Sequence, residues 1–150
     1  MTGTAADPAL LTYDVDPHAY GLVARGSSND FTFTVTNSGG VPATSVAEGT
    51  PLTLPFSYPL GYPGGGTCGG TIAAGASCTI TVRYNPTANG AHNDTSEIDY
   101  DNGLTTVQAT ADVNGSAADP AIITYDVDPH NYGTVAVSYT HLTLPTSIQV

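Results

Sequence analysis

Several residues in this chain have types and spacings that could do chemistry, and the cysteines come first. Cys68 and Cys78 are the two cysteines of the sequence. A zinc site would need two further ligands, and His18, His92, His130 and His141 do not cluster near them. A dithiol redox motif would need closer spacing. A disulfide or a pair of buried free thiols remains. In the disulfide reading Cys78 opens an alternating strand and Cys68 sits in a glycine loop, so the bond pins that loop to a sheet. Closing a loop of this size is worth on the order of 3 kcal/mol in the chain-entropy model, and it places the chain in an oxidising compartment.

Acidic side chains form the second set. Asp14 and Asp16, repeated as Asp126 and Asp128, and the run Asp94, Glu97, Asp99 and Asp101 present hard oxygen ligands of the kind calcium takes. Neither run has the twelve-residue spacing or terminal glutamate of an EF-hand, and alternate residues on a strand also simply face solvent. No metal site and no cofactor are therefore expected; Asp14, Asp16, Asp99 and Asp101 are the positions to inspect for calcium. His18 beside Asp16 and His92 near Asp94, with Ser77 or Ser96, could suggest a hydrolase. No Gly-x-Ser-x-Gly elbow is present, however, and no Ser, His and Asp set follows from the strand pattern, so these read as turn and surface residues and no enzyme is expected. Tyr13, Tyr20, Tyr58, Tyr62, Tyr84 and Tyr100 could make a carbohydrate-stacking face, but in a tryptophan-free chain they are more simply core and rim.

The elements that must position these residues are strands. Phe31, Phe33 and Val35 alternate with Thr32, Thr34 and Thr36, and Cys78, Ile80, Val82 and Tyr84 alternate with Ser77, Thr79, Thr81 and Arg83. Earlier, ALLTYDV (9–15) has strand composition, Pro17 interrupts it, and 20–23 resumes, as expected of an edge strand broken by proline that switches sheets. A further strand at 43–47 is expected to return after a Gly39-Gly40 hairpin. Residues 54–58, between prolines, are at best an edge, and 61–70 (GYPGGGTCGG) is a loop. A strand ending in Ile98 and Tyr100 leads through the hairpin signal Asp101-Asn102-Gly103 into one carrying Val107, Ala109, Ala111 and Val113 on one face. About seven short strands with Gly and Pro turns in roughly 110 residues fit an all-β, immunoglobulin-like sandwich.

Above the level of strands the sequence repeats. Residues 4–24 (TAADPALLTYDVDPHAYGLVA) recur at 116–136 (SAADPAIITYDVDPHNYGTVA), with 16 of 21 positions identical at an offset of 112 residues. An offset that long is a whole domain rather than a solenoid unit. The expected organisation is a linker at 1–8, one domain at 9–115, the start of a second, truncated copy at 116–136, and a tail. Asn114-Gly115-Ser116 shares the small, polar linker composition of the N-terminus. From Val137 the copies diverge, and 137–150 (VSYTHLTLPTSIQV) resembles translated adapter or vector sequence. The chain thus reads as a piece of a longer protein.

Composition excludes other classes. Of 150 residues, 40% are hydrophobic and 10% charged, with Lys and Arg together numbering 2 against 13 Asp and Glu, a net charge of -11. Such a surface repels phosphate backbones, so no nucleic-acid partner is expected. No apolar run reaches the roughly 18 residues of a membrane span, so no direct membrane insertion is expected either.

The motifs YGLV (20–23), FTFTVTNSG (31–39) and above all CGGTIAAGASC (68–78) leading into VRYNP (82–86) resemble the abnormal-spindle/hydin (ASH) type of Ig-like domain, in the bacterial form found in choice-of-anchor D proteins. The resemblance covers about residues 9–114. It implies tandem beads on secreted or surface-attached bacterial proteins, with neighbouring Ig-like repeats as partners. The expected function is a non-catalytic structural or adhesive repeat module; the alternative is a module that binds a glycan or peptide ligand.

Overall fold

The computed structural model describes residues 3–138, and its secondary structure is built from strands, with no helix among the described residues. The strands are β1 (Leu11–Tyr13), β2 (His18–Ala24), β3 (Asn29–Asn37), β4 (Ala43–Glu48), β5 (Phe56–Ser57), β6 (Thr71–Ile72), β7 (Ser77–Tyr84), β8 (Gly90–Asp101) and β9 (Thr106–Ala118). They form a four-stranded sheet in the order β1-β3-β7-β5 and a five-stranded sheet in the order β2-β9-β8-β4-β6. All pairs are antiparallel except β2 with β9, which is parallel.

The period-two pattern becomes the core. Phe33 and Val35 of β3, Ile80, Val82 and Tyr84 of β7, and Ile98 and Ala111 of β8 and β9 are fully buried. Burying each of the larger side chains stabilises the fold by about 1.5–3 kcal/mol relative to exposure. The alternate positions form the outer face of the four-stranded sheet, where Thr32 bonds Thr81 at 2.9 Å and Thr36 bonds Ser77 at 2.8 Å across the strand pair.

Nine strands stand where about seven are expected, for two physical reasons. The proline-broken first segment is two strands in different sheets, β1 against β3 and β2 against β9. The switch falls at residues 14–17, where Pro17 has no N–H to give to a ladder. The other addition, β6, is a two-residue pairing with β4 that is too short to leave a periodic signal.

Two local expectations need correction. Gly39-Gly40 does not close a hairpin, because β3 and β4 belong to different sheets. Asn37, fully buried, dictates this crossing. Its Oδ1 accepts from the Leu10 and Gly39 N–H groups at 3.1 and 3.0 Å, and its Nδ2 donates to the Val41 and Ile72 carbonyls at 2.9 and 3.1 Å. Likewise, Asn114-Gly115-Ser116 is not linker but the paired interior of β9. A Cβ on Gly115 would lie 2.7 Å from the Tyr84 ring, so glycine here makes room for a core aromatic. The hairpin signal at 101–103 does close β8 onto β9: Asp101 Oδ1 accepts the Gly103 N–H at 2.7 Å, and Gly103 takes a φ of 92°.

The chain divides into two compact units, residues 1–120 and 121–150. The first holds both sheets. In the second, the described residues 121–138 contain no strand and are exposed. Most of the expected tail, 139–150, lies outside the described residues, as does His141.

Candidate functional site

The cysteines are bonded to each other, with Cα atoms 4.8 Å apart and both residues buried. Cys78 lies on β7 facing the core. Cys68 lies in the glycine loop, which runs along β7 and borrows its free edge: Thr67 and Cys68 donate backbone N–H to the Thr79 carbonyl at 2.9 and 3.1 Å, and Thr81 donates to the Pro63 carbonyl at 3.0 Å. Beside it the Thr67 hydroxyl accepts the Thr79 N–H at 3.0 Å. The bond therefore fastens an irregular segment over a sheet edge that would otherwise expose unpaired backbone.

The acidic positions act as acceptors within the fold. Asp14 and Asp16 flank the sheet switch: Asp14 Oδ1 accepts the Thr34 N–H of the four-stranded sheet at 2.9 Å, and Asp16 Oδ1 accepts the Asp112 N–H of the five-stranded sheet at 2.8 Å. These carboxylates staple the crossing segment to both layers. Asp99 Oδ1 accepts from Gln108 Nε2 at 3.0 Å, and Asp101 closes the β8–β9 turn. Asp94 Oδ2 accepts the N–H and hydroxyl of Thr53 at 2.6 and 2.8 Å. Glu97 accepts the Thr50 N–H at 3.0 Å, and its bonds to Thr50 hold its carboxyl below the usual range. Among the described residues no three His, Cys, Asp or Glu side chains come together as a metal site. Asp126 and Asp128 lie exposed in the second unit.

The would-be hydrolase residues are not assembled. Ser77 pairs with Thr36, and Ser96 is sealed in the interior, where its Oγ bonds the Tyr13 and Tyr58 hydroxyls at 3.0 and 2.9 Å. His18 stacks on Phe31 with ring centres 3.5 Å apart, and desolvation lowers its pKa. His92 Nδ1 bonds the Tyr84 hydroxyl at 2.8 Å.

The tyrosines are core. Tyr20, Tyr58, Tyr84 and Tyr100 are buried, while Tyr13 and Tyr62 pack against them partly buried. Tyr20 donates to the Val82 carbonyl at 2.6 Å, and the Tyr100 hydroxyl accepts the Leu11 N–H at 3.1 Å, each tying the two sheets together. Burial pushes the Tyr58 and Tyr62 phenols up to about 12 and raises those of Tyr13 and Tyr20 further. The polar knot of Ser96, Tyr13 and Tyr58 had a sequence signal, since Ser96 shares the strand face of Ile98 and Tyr100.

On the outside, Arg83 and Asp30 form a two-pronged pair with both N–O distances at 2.7 Å, which lowers the Asp30 pKa. Arg25 reaches Asp119 at 2.8 Å. A shallow cleft of about 290 Å³ lies between residues 6–8, Val41-Pro42 and the β8–β9 turn, with Leu104 exposed on its rim.

This architecture has known counterparts. The chain is similar to the Vibrio cholerae VesB protease, with 21% identity and a TM-score of 0.60, covering 71% of this chain and 31% of the protease. It is also similar to the ASH/PapD-like domain 7 of human CEP192 (8% identity, TM-score 0.52, 81% of this chain and 92% of that one). A Porphyromonas gingivalis protein of unknown function shares 13% identity with a TM-score of 0.50, over 75% of this chain and 49% of that one. At these identities the likeness is one of fold, and the chain spans under a third of the protease. No curated protein matches the sequence. The family model for the HYDIN/CFA65/VesB-like Ig-like domain matches residues 9–116, and the chain belongs to that family of Ig-like β-sandwiches.

Proposed function

We propose that the chain is a non-catalytic structural or adhesive repeat module of a larger secreted or surface-attached bacterial protein. The observation that carries this reading is the recurrence of residues 4–24 at 116–136, at an offset of 112 residues that matches the span of the folded domain. The side chains with reactive chemistry add support, since Cys68, Cys78, Ser96, Asp14 and Asp16 are all engaged in holding sheets and loops together. The disulfide supports an extracellular or cell-surface location. Reading the parent gene tests the proposal: further copies at the same period are expected, and a single copy fused to a catalytic domain overturns it. Secreted material analysed by non-reducing mass spectrometry should show no alkylatable thiol.

The second reading is a glycan- or peptide-binding module, favoured by the cleft beside Val41, Pro42 and Leu104. At about 290 Å³ it sits at the small end of ligand sites. Chemical-shift changes at these residues on addition of oligosaccharide or peptide mixtures would favour this reading over the structural one.

A further inference from the structure

The first unit carries nearly the same short sequence at both of its poles, TAADP at 4–8 and SAADP at 116–120. The first lies beside the β8–β9 turn, where the Asp7 carbonyl accepts the Gly40 N–H at 2.9 Å and the Ala9 N–H donates to the Asn102 carbonyl at 3.0 Å. The second lies at the other end of those strands, where Ala117 pairs with Gly90. There Ala117 and Ala118 also pair with Val23 and Ala24 of β2. Just beyond, the Ala118 carbonyl accepts the Arg25 N–H at 2.8 Å and Asp119 Oδ1 receives Arg25 Nη2 at 2.8 Å.

The two poles use different atoms of the motif. By the repeat offset, Ala118 corresponds to Ala6, Asp119 to Asp7, and Ala121 to Ala9. The C-terminal pole holds the alanine carbonyl and the aspartate carboxylate, whereas the N-terminal pole holds the aspartate carbonyl and the N–H of the alanine after proline. A single SAADP segment can therefore satisfy both sets at once. Only the proline, with no N–H and a fixed φ, is left without a bond of its own.

We propose that in the parent chain each SAADP segment is held simultaneously by the domain before it and the domain after it. The partner of each pole is thus a second copy of this domain, joined at a fixed orientation with no free linker. This inference rests on the repeat reading. Because the poles lie at opposite ends of a twelve-residue strand, each copy advances the array by about 40 Å. The Arg25–Asp119 pair, with its side chains 49% and 60% exposed, adds little energy by itself. Its part is to choose the angle, while strand pairing and the lack of slack supply the stiffness.

The test is a tandem chain in which residues 9–150 follow Pro120, which is feasible because residues 1–120 form a unit with its own core. Residual dipolar couplings should give the two complete copies the same alignment tensor. Tensors of unequal magnitude in the unaltered tandem chain overturn the proposal. Four Gly/Ser residues inserted between Asp119 and Pro120 should cut the alignment of one copy relative to the other by about half or more. If the insertion leaves the tensors equal, other surfaces fix the orientation and the proposal fails. A parent gene with a single copy would end the repeat reading without altering this measurement, so the two failures are distinguishable.

Discussion

The first and second copies of the repeated stretch have nearly the same residues and opposite fates. Leu11, Tyr20 and Val23 are 3%, 7% and 8% exposed in β1 and β2, whereas their counterparts Ile123, Tyr132 and Val135 are 91%, 84% and 81% exposed and belong to no strand. Local propensity is therefore held constant while structure changes. What differs is the partner: β1 has the edge of β3 to pair with and β2 has the edge of β9. These residues have the composition of strands, but they become strands only where an edge and a buried face receive them.

Conditions and substitutions that act on the folded domain holding the first copy and spare the second sharpen this comparison. The largest effect should come from alkali. The phenols of Tyr58 and Tyr62 stand at about 12 in the folded chain against 10.0 ordinarily, so the folded state binds more protons between those values. Their contribution is complete below pH 10 and is lost as pH rises through the folded values. The melting temperature should fall steeply across that window, while NMR shifts of residues 121–138 show no cooperative change. Next in size, Leu11→Ala should cost the domain about 2–5 kcal/mol, whereas Ile123→Ala should stay within about 0.5 kcal/mol, both read by urea denaturation. Equal costs would show that the second copy is folded after all.

Reduction of the Cys68–Cys78 bond should remove about 2–3 kcal/mol from the domain and leave the signals of residues 121–138 unmoved, since the bond pins a loop to β7. The smallest pair is Tyr20→Phe against Tyr132→Phe. The first loses the bond to the Val82 carbonyl and about 1 kcal/mol of stability, and the second should have no measurable effect by thermal melting.

Much of the sandwich was legible because β3 and β7 alternate apolar and polar residues, and because Pro17 has no N–H to give to a strand ladder. The pieces that escaped obey long-range logic. Asn37 sits in a run of turn residues and gives no local sign that it is a buried hub reaching Leu10 and Ile72. Gly115 reads as linker because its reason, the Tyr84 ring, lies far away in sequence. The disulfide could be anticipated from Cys68 and Cys78 alone, but the work of Asp14 and Asp16 could not. Carboxylates that bind calcium and carboxylates that clamp backbone N–H groups look alike until the donors are placed beside them.

The parallel pairing of β2 with β9 has a mechanical meaning. A chain pulled by its two ends draws β2 toward one pole and β9 toward the other, so the load runs along the strands rather than across them. The pairings of His18 and Ala19, and beyond a bulge those of Leu22 to Ala24, are then strained in shear rather than opened one after another from an end. In the tandem array proposed above, that geometry makes each domain resist force as a unit, with β2 and β9 as its clamp.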